Sequence, residues 1–67
     1  AARTWERAAE DYTMSLDLDP DNGAVNLNLG IALVNSGRSD EACHYLRRAR
    51  SLGVREATDY LAKYCLR

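Results

Sequence analysis

The groups in this chain able to act as nucleophile, base or metal ligand are few: Cys43, His44, Cys65 and a scatter of carboxylates. Cys43 and His44 are neighbours, which brings a thiol–imidazole pair to mind. Successive residues on a helix point about 100° apart, however, so adjacent side chains do not readily meet. With Cys43 turned inwards, His44 is expected to face solvent. A metal site built from Cys43, His44 and Cys65 would fall one ligand short of a closed tetrahedral zinc shell. Glu6, Glu10, Asp11 and Asp17 read as a solvated helix face rather than an acid–base pair. Arg47, Arg48, Arg50 and Arg55 are cations able to touch phosphates, but no aromatic is interleaved with them, and cations near a helix C-terminus are accounted for by the dipole. No catalytic residue, metal or cofactor is expected, and these residues argue against nucleic acid as a partner.

Cys43 and Cys65 lie 22 residues apart. Small secreted domains held by disulfides usually carry roughly four cysteines or more. On that count the two read as buried free thiols in a reducing compartment. The expected location is therefore intracellular, in the cytoplasm first and an organelle second.

The elements that hold these groups belong to a chain of 67 residues, 46% hydrophobic and 28% charged, with one proline. A chain this short buries only roughly 60% of the surface it exposes when unfolded, so its core is modest. No apolar run approaches the ~18 residues of a membrane span, and no signal segment opens the sequence. The absence of an initiating methionine suggests a processed product or a section of something longer. Net charge is −1, unevenly spread. Residues 1–37 hold two basic and six acidic groups, −4, whereas residues 38–67 hold seven basic and four acidic groups, +3.

Hydrophobic spacing predicts four helices and no strand. The first, over Thr4–Leu18 with Thr4 as N-cap, places Trp5, Ala8, Ala9, Tyr12, Ser15 and Leu16 on one face. Asp19-Pro20-Asp21-Asn22-Gly23 ends it. The second, Ala24–Asn35, is capped by Asp21 or Asn22 and is apolar around most of its circumference, interrupted by Asn26, Asn28 and Gly30. Such a helix wants cover on two sides. Gly37 suits the left-handed end of that helix. The third starts with Ser39 as N-cap and buries Ala42, Cys43, Tyr45, Leu46, Ala49 and Leu52. After Gly53 the fourth, Arg55–Leu66, aligns Ala57, Tyr60, Leu61, Tyr64 and Cys65.

Shifting the chain by 34 residues superposes Ala8 on Ala42, Tyr12 on Leu46, Leu18 on Leu52 and Leu27 on Leu61. A 34-residue helix–turn–helix period is a repeat signature. Asn26-x-x-Leu29-Gly30-x-x-Leu33 resembles the Trp-x-x-Leu-Gly-x-x-Tyr of the tetratricopeptide repeat family. Ala42-x-x-x-Leu46 resembles that family's Ala-x-x-x-Phe, and Pro20 follows Ala8-x-x-x-Tyr12 at the family's spacing. Asn26 replaces the usual aromatic, Val54 the usual proline, and Lys63-Tyr64 the Leu-Gly pair. The resemblance implies an all-α fold of antiparallel helix hairpins, a four-helix piece of a tetratricopeptide-like α-solenoid. Residues 1–20 would be the second helix of an incomplete repeat, 21–54 a complete hairpin, and 55–67 a C-terminal capping helix.

In that family the first helices of successive repeats line a concave groove. By position the groove here would be formed by Ala24, Leu27, Asn28, Ile31, Val34, Asn35, Thr58, Leu61 and Ala62, with Cys65 at its end. The resemblance thus implies a non-catalytic protein-interaction module that binds a peptide or helix. The positions of a carboxylate clamp hold Leu27, Ile31, Thr58 and Ala62, which leaves only Asn28 to fit one. The alternative is an assembly element whose acidic front and basic back associate head to tail, by self-association or with neighbouring repeats.

Overall fold

The computed structural model describes residues 2–65 as four α-helices: α1 Ala2–Leu18, α2 Gly23–Asn35, α3 Ser39–Ser51 and α4 Glu56–Tyr64. Each boundary has a local cause. Asn22 takes an extended backbone and its side chain accepts a hydrogen bond from Val25 N at 3.1 Å, capping α2. At the other end of α2, Arg38 N donates to Leu33 O at 2.8 Å and Gly37 N to Val34 O at 3.1 Å, around Gly37 with φ +79°. The end of α3 repeats this closure, with Val54 N to Ala49 O and Gly53 N to Arg50 O, both 3.0 Å, around Gly53 with φ +93°. Both are glycine-terminated Schellman closures.

Three expected boundaries differ. Thr4 lies inside α1, which is already helical at Ala2, so it is not the N-cap. Ser39 is the first helical residue of α3, and the N-cap position belongs to Arg38, which offers no side-chain cap. Asp40 and Glu41 then supply the negative charge of the first turn. Helix α4 begins at Glu56 rather than Arg55, and its expected end at Leu66 lies outside the described residues.

Helix α2 is the centre of the fold. It packs most extensively on α3, next on α1, and lightly on α4, while α4 packs chiefly on α3. This accounts for much of its apolar surface, which α1 and α3 cover with a lighter contribution from α4. The core gathers Ala9, Leu29, Ala32, Leu33, Ala42, Leu46 and Leu61. The α2–α3 crossing is close because Gly30 lacks a side chain. A Cβ there would stand 2.6 Å from Leu46 Cδ2, and Leu46 is itself fully enclosed. Ala42, also fully buried, is the small residue on the opposite helix.

The helix ends depart from the expected burial pattern. Trp5 is 41% exposed and Leu52 40%, whereas Ala8, Tyr12 and Leu16 rest on the core as predicted from their spacing.

Candidate functional site

Helix α2 presents Leu27, Ile31 and Val34 at i, i+4 and i+7, and all three are half-buried. Leu27 and Val34 rest against the edge of the core. Ala24, Asn28 and Asn35 lie beside them, and Asn35 Nδ2 donates to Ile31 O at 2.9 Å. On α4, Thr58 and Ala62 are exposed one turn apart. Leu61 differs from its neighbours in the expected groove: it is 5% exposed and belongs to the core, so no guest reaches it. The face therefore consists of an apolar strip on α2 flanked by amides, with two small α4 residues alongside.

Cys43 and Cys65 are joined by a disulfide, their Cα atoms 5.8 Å apart. This corrects the expectation of free thiols. Counting cysteines leaves out where the helices put them, and the α3–α4 packing brings these two half-buried residues face to face. It also removes the ground on which a reducing compartment was expected. With its sulfur in that bond, Cys43 is not a nucleophile for His44, which is exposed and meets the Tyr45 ring edge-on at 4.9 Å. Among the described residues, no group of three or more His, Cys, Asp or Glu gathers to hold a metal ion. Among them, too, no helix is long and apolar enough to cross a membrane.

Two clefts lie away from the α2 strip. One, of about 730 Å³, runs between α1 and α3; Glu6, Glu10 and Met14 line one wall, Tyr45 and Glu41 the other, over Leu29 and Leu33. There Arg38 and Glu41 form a two-pronged ion pair, Nε to Oε1 at 3.0 Å and Nη2 to Oε2 at 2.7 Å. The hydrogen bonds from Arg38 hold the Glu41 carboxyl below the usual range; a desolvation effect opposes them, and the charge of Arg38 adds to them. The second cleft, about 390 Å³, is lined by Asp21, His44, Arg47, Arg48, Ser51 and Leu52.

The sequence pattern marks Asn26 only as a missing aromatic; the structure gives it a task. Fully enclosed, it donates from Nδ2 to Pro20 O at 3.2 Å and Asn22 O at 2.9 Å, tying α2 to the turn before it. Arg48 Nη2 reaches the same Pro20 carbonyl at 2.9 Å. Asn26 Oδ1 is buried without a hydrogen-bond partner.

Antiparallel helices joined by short turns, two of them closed by glycine, with a small-residue crossing between α2 and α3, are the architecture of a helical-repeat protein. A family model, Tetratricopeptide repeat, matches residues 1–62, and the chain belongs to that family. No curated protein and no solved structure matches it. Members of this family generally mediate protein–protein interactions and are typically non-catalytic.

Proposed function

We propose that the chain is a protein-interaction module that holds an apolar helix or extended peptide against the exposed face of α2, with Thr58 and Ala62 of α4 at its edge. The observation that carries this reading is the Leu27–Ile31–Val34 strip. Three aliphatic side chains remain only half-buried on the helix that the rest of the fold packs around. Apolar anchors at helical spacing suit a partner's apolar side chains, and the amides of Asn28 and Asn35 suit its backbone. On this reading residues 21–54 form the complete hairpin, residues 1–20 the second helix of a preceding unit, and residues 55–67 a cap.

The test uses a displayed library of random short peptides selected against the chain. Selected sequences should be rich in aliphatic and aromatic residues, and Ile31→Glu should abolish their binding while the thermal midpoint stays near that of the parent. If Ile31→Glu binds them unchanged, or melts far earlier than the parent, the face is wrongly assigned.

A further inference from the structure

Two of the clefts away from the α2 face differ in charge. On α3, His44, Arg47, Arg48 and Ser51 fall at i, i+3, i+4 and i+7 and, with Asp21 and Leu52, enclose the 390 Å³ pocket. Arg48 is committed to its own chain, through Pro20 O at 2.9 Å and the Asp21 carboxylate at 3.6 Å. Arg47 is exposed beside the exposed His44, with the pocket open next to them.

The 730 Å³ cleft has the opposite character along α1. Glu6 and Glu10 stand exposed on its wall, with Met14, 63% exposed, one turn further on. Across it Arg38 is matched by Glu41, so among the described residues that line the cleft Arg7 is the one further cation beside the two α1 glutamates. Its floor is apolar, made by Ala9, Leu29 and Leu33.

We propose that the α3 pocket of one copy of this chain docks on the α1 wall of the cleft of a second copy, head to tail. The argument for this occupant is charge complementarity between the two linings: Glu6, Glu10 and Glu41 outweigh Arg7 and Arg38 in the cleft, while Arg47 and Arg48 outweigh Asp21 in the pocket. Arg47 and His44 meet Glu6 and Glu10, and the exposed Met14 supplies an apolar projection toward the pocket lined by Leu52. The two clefts share no lining residue. A docked pair therefore keeps one free acidic and one free basic surface, which makes the contact heterologous and able to propagate. The proposed peptide face on α2 and α4 takes no part in it.

Sedimentation of the chain across a concentration series, at low and high salt, reads the contact directly. Association is expected at low salt and should weaken about tenfold or more when salt shortens the Debye length. The double variants His44→Glu/Arg47→Glu and Glu6→Lys/Glu10→Lys should each sediment as monomers with unchanged helicity by circular dichroism. Mixed in equal amounts, they should associate again, because each retains one intact surface and the two reversed surfaces are themselves opposite in charge. Should a double variant lose helicity, the single changes Arg47→Gln and Glu10→Gln replace it, each expected to weaken association several-fold. A parent chain that stays monomeric at low salt and high concentration overturns the proposal. So does a mixture that stays monomeric, or association indifferent to these substitutions. A monomeric chain whose α3 face instead binds heparin would assign that face to a foreign polyanion and overturn it equally.

Discussion

Gly30 and Tyr64 occupy equivalent places one repeat apart, and they hold their helices by different means. At Gly30 the absence of a side chain lets α2 settle onto Leu46, and close packing joins the two helices of the hairpin. At Tyr64 a large ring stands where that approach would occur, half-buried and stacked on Tyr60 at 6.3 Å. Next to it, Cys65 is bonded to Cys43. Helix α4 has only nine residues, places Ala57 and Leu61 in the core, and has no side-chain cap. A repeat interface can thus be held by shape where both helices carry small residues, and by a covalent bond where one does not.

Removing the disulfide tests this most severely. The bond joins residues 22 apart, and closing a loop of that size restricts the unfolded chain by about 3 kcal/mol. Reduction, or Cys65→Ser, should lower the thermal midpoint and speed amide exchange across α4 while α2 and α3 keep their protection. Equal protection of α4 in both redox states would collapse the contrast. From the other side, Gly30→Ala adds a methyl group that collides with enclosed Leu46. Overpacking of about 1–3 kcal/mol then exceeds the ~1 kcal/mol that alanine gains in helix propensity. Urea unfolding should report a net loss of up to about 2 kcal/mol, and a gain in stability would mean that the crossing has slack.

A smaller effect is expected at the start of the hairpin. Asn22→Ala removes the cap on Val25 N and should cost about 1 kcal/mol in the same assay. An unchanged urea midpoint would show that the turn holds α2 without that cap. The smallest effect concerns the exposed Arg38–Glu41 pair. The folded pKa of Glu41 is depressed, so any stabilisation is present above its unfolded value and lost as pH falls through the folded one. The difference in thermal midpoint between the parent and Glu41→Gln should be slight at neutral pH and disappear in acid. A difference that persists in acid would show that the pair acts through packing.

The four helices are legible in the sequence because their stops are chemical: Pro20, Gly37 and Gly53 end helices for reasons that do not depend on tertiary structure. The closeness at Gly30 and Ala42 is legible from the repeat. Sequence misplaces the caps at Thr4 and Ser39 because an oxygen-bearing side chain near a helix start is a preference that the backbone need not follow. Leu61 reads as groove when the 34-residue register is carried into α4, where Tyr64 breaks the small-residue pattern and the helix settles with Leu61 inwards. The cysteine pairing escapes a sequence reading because two residues far apart along the chain become neighbours only once α4 folds back on α3.

The Cys43–Cys65 bond also alters what cutting the chain accomplishes. It closes a ring that contains Arg47, Arg48, Arg50, Arg55 and Lys63, five of the chain's nine basic residues. A trypsin-like protease that severs one peptide bond inside this ring adds one water molecule and releases nothing, because the sulfur bridge still ties both pieces together. Damage of that kind passes unnoticed on a non-reducing gel, and only a reductant reveals it.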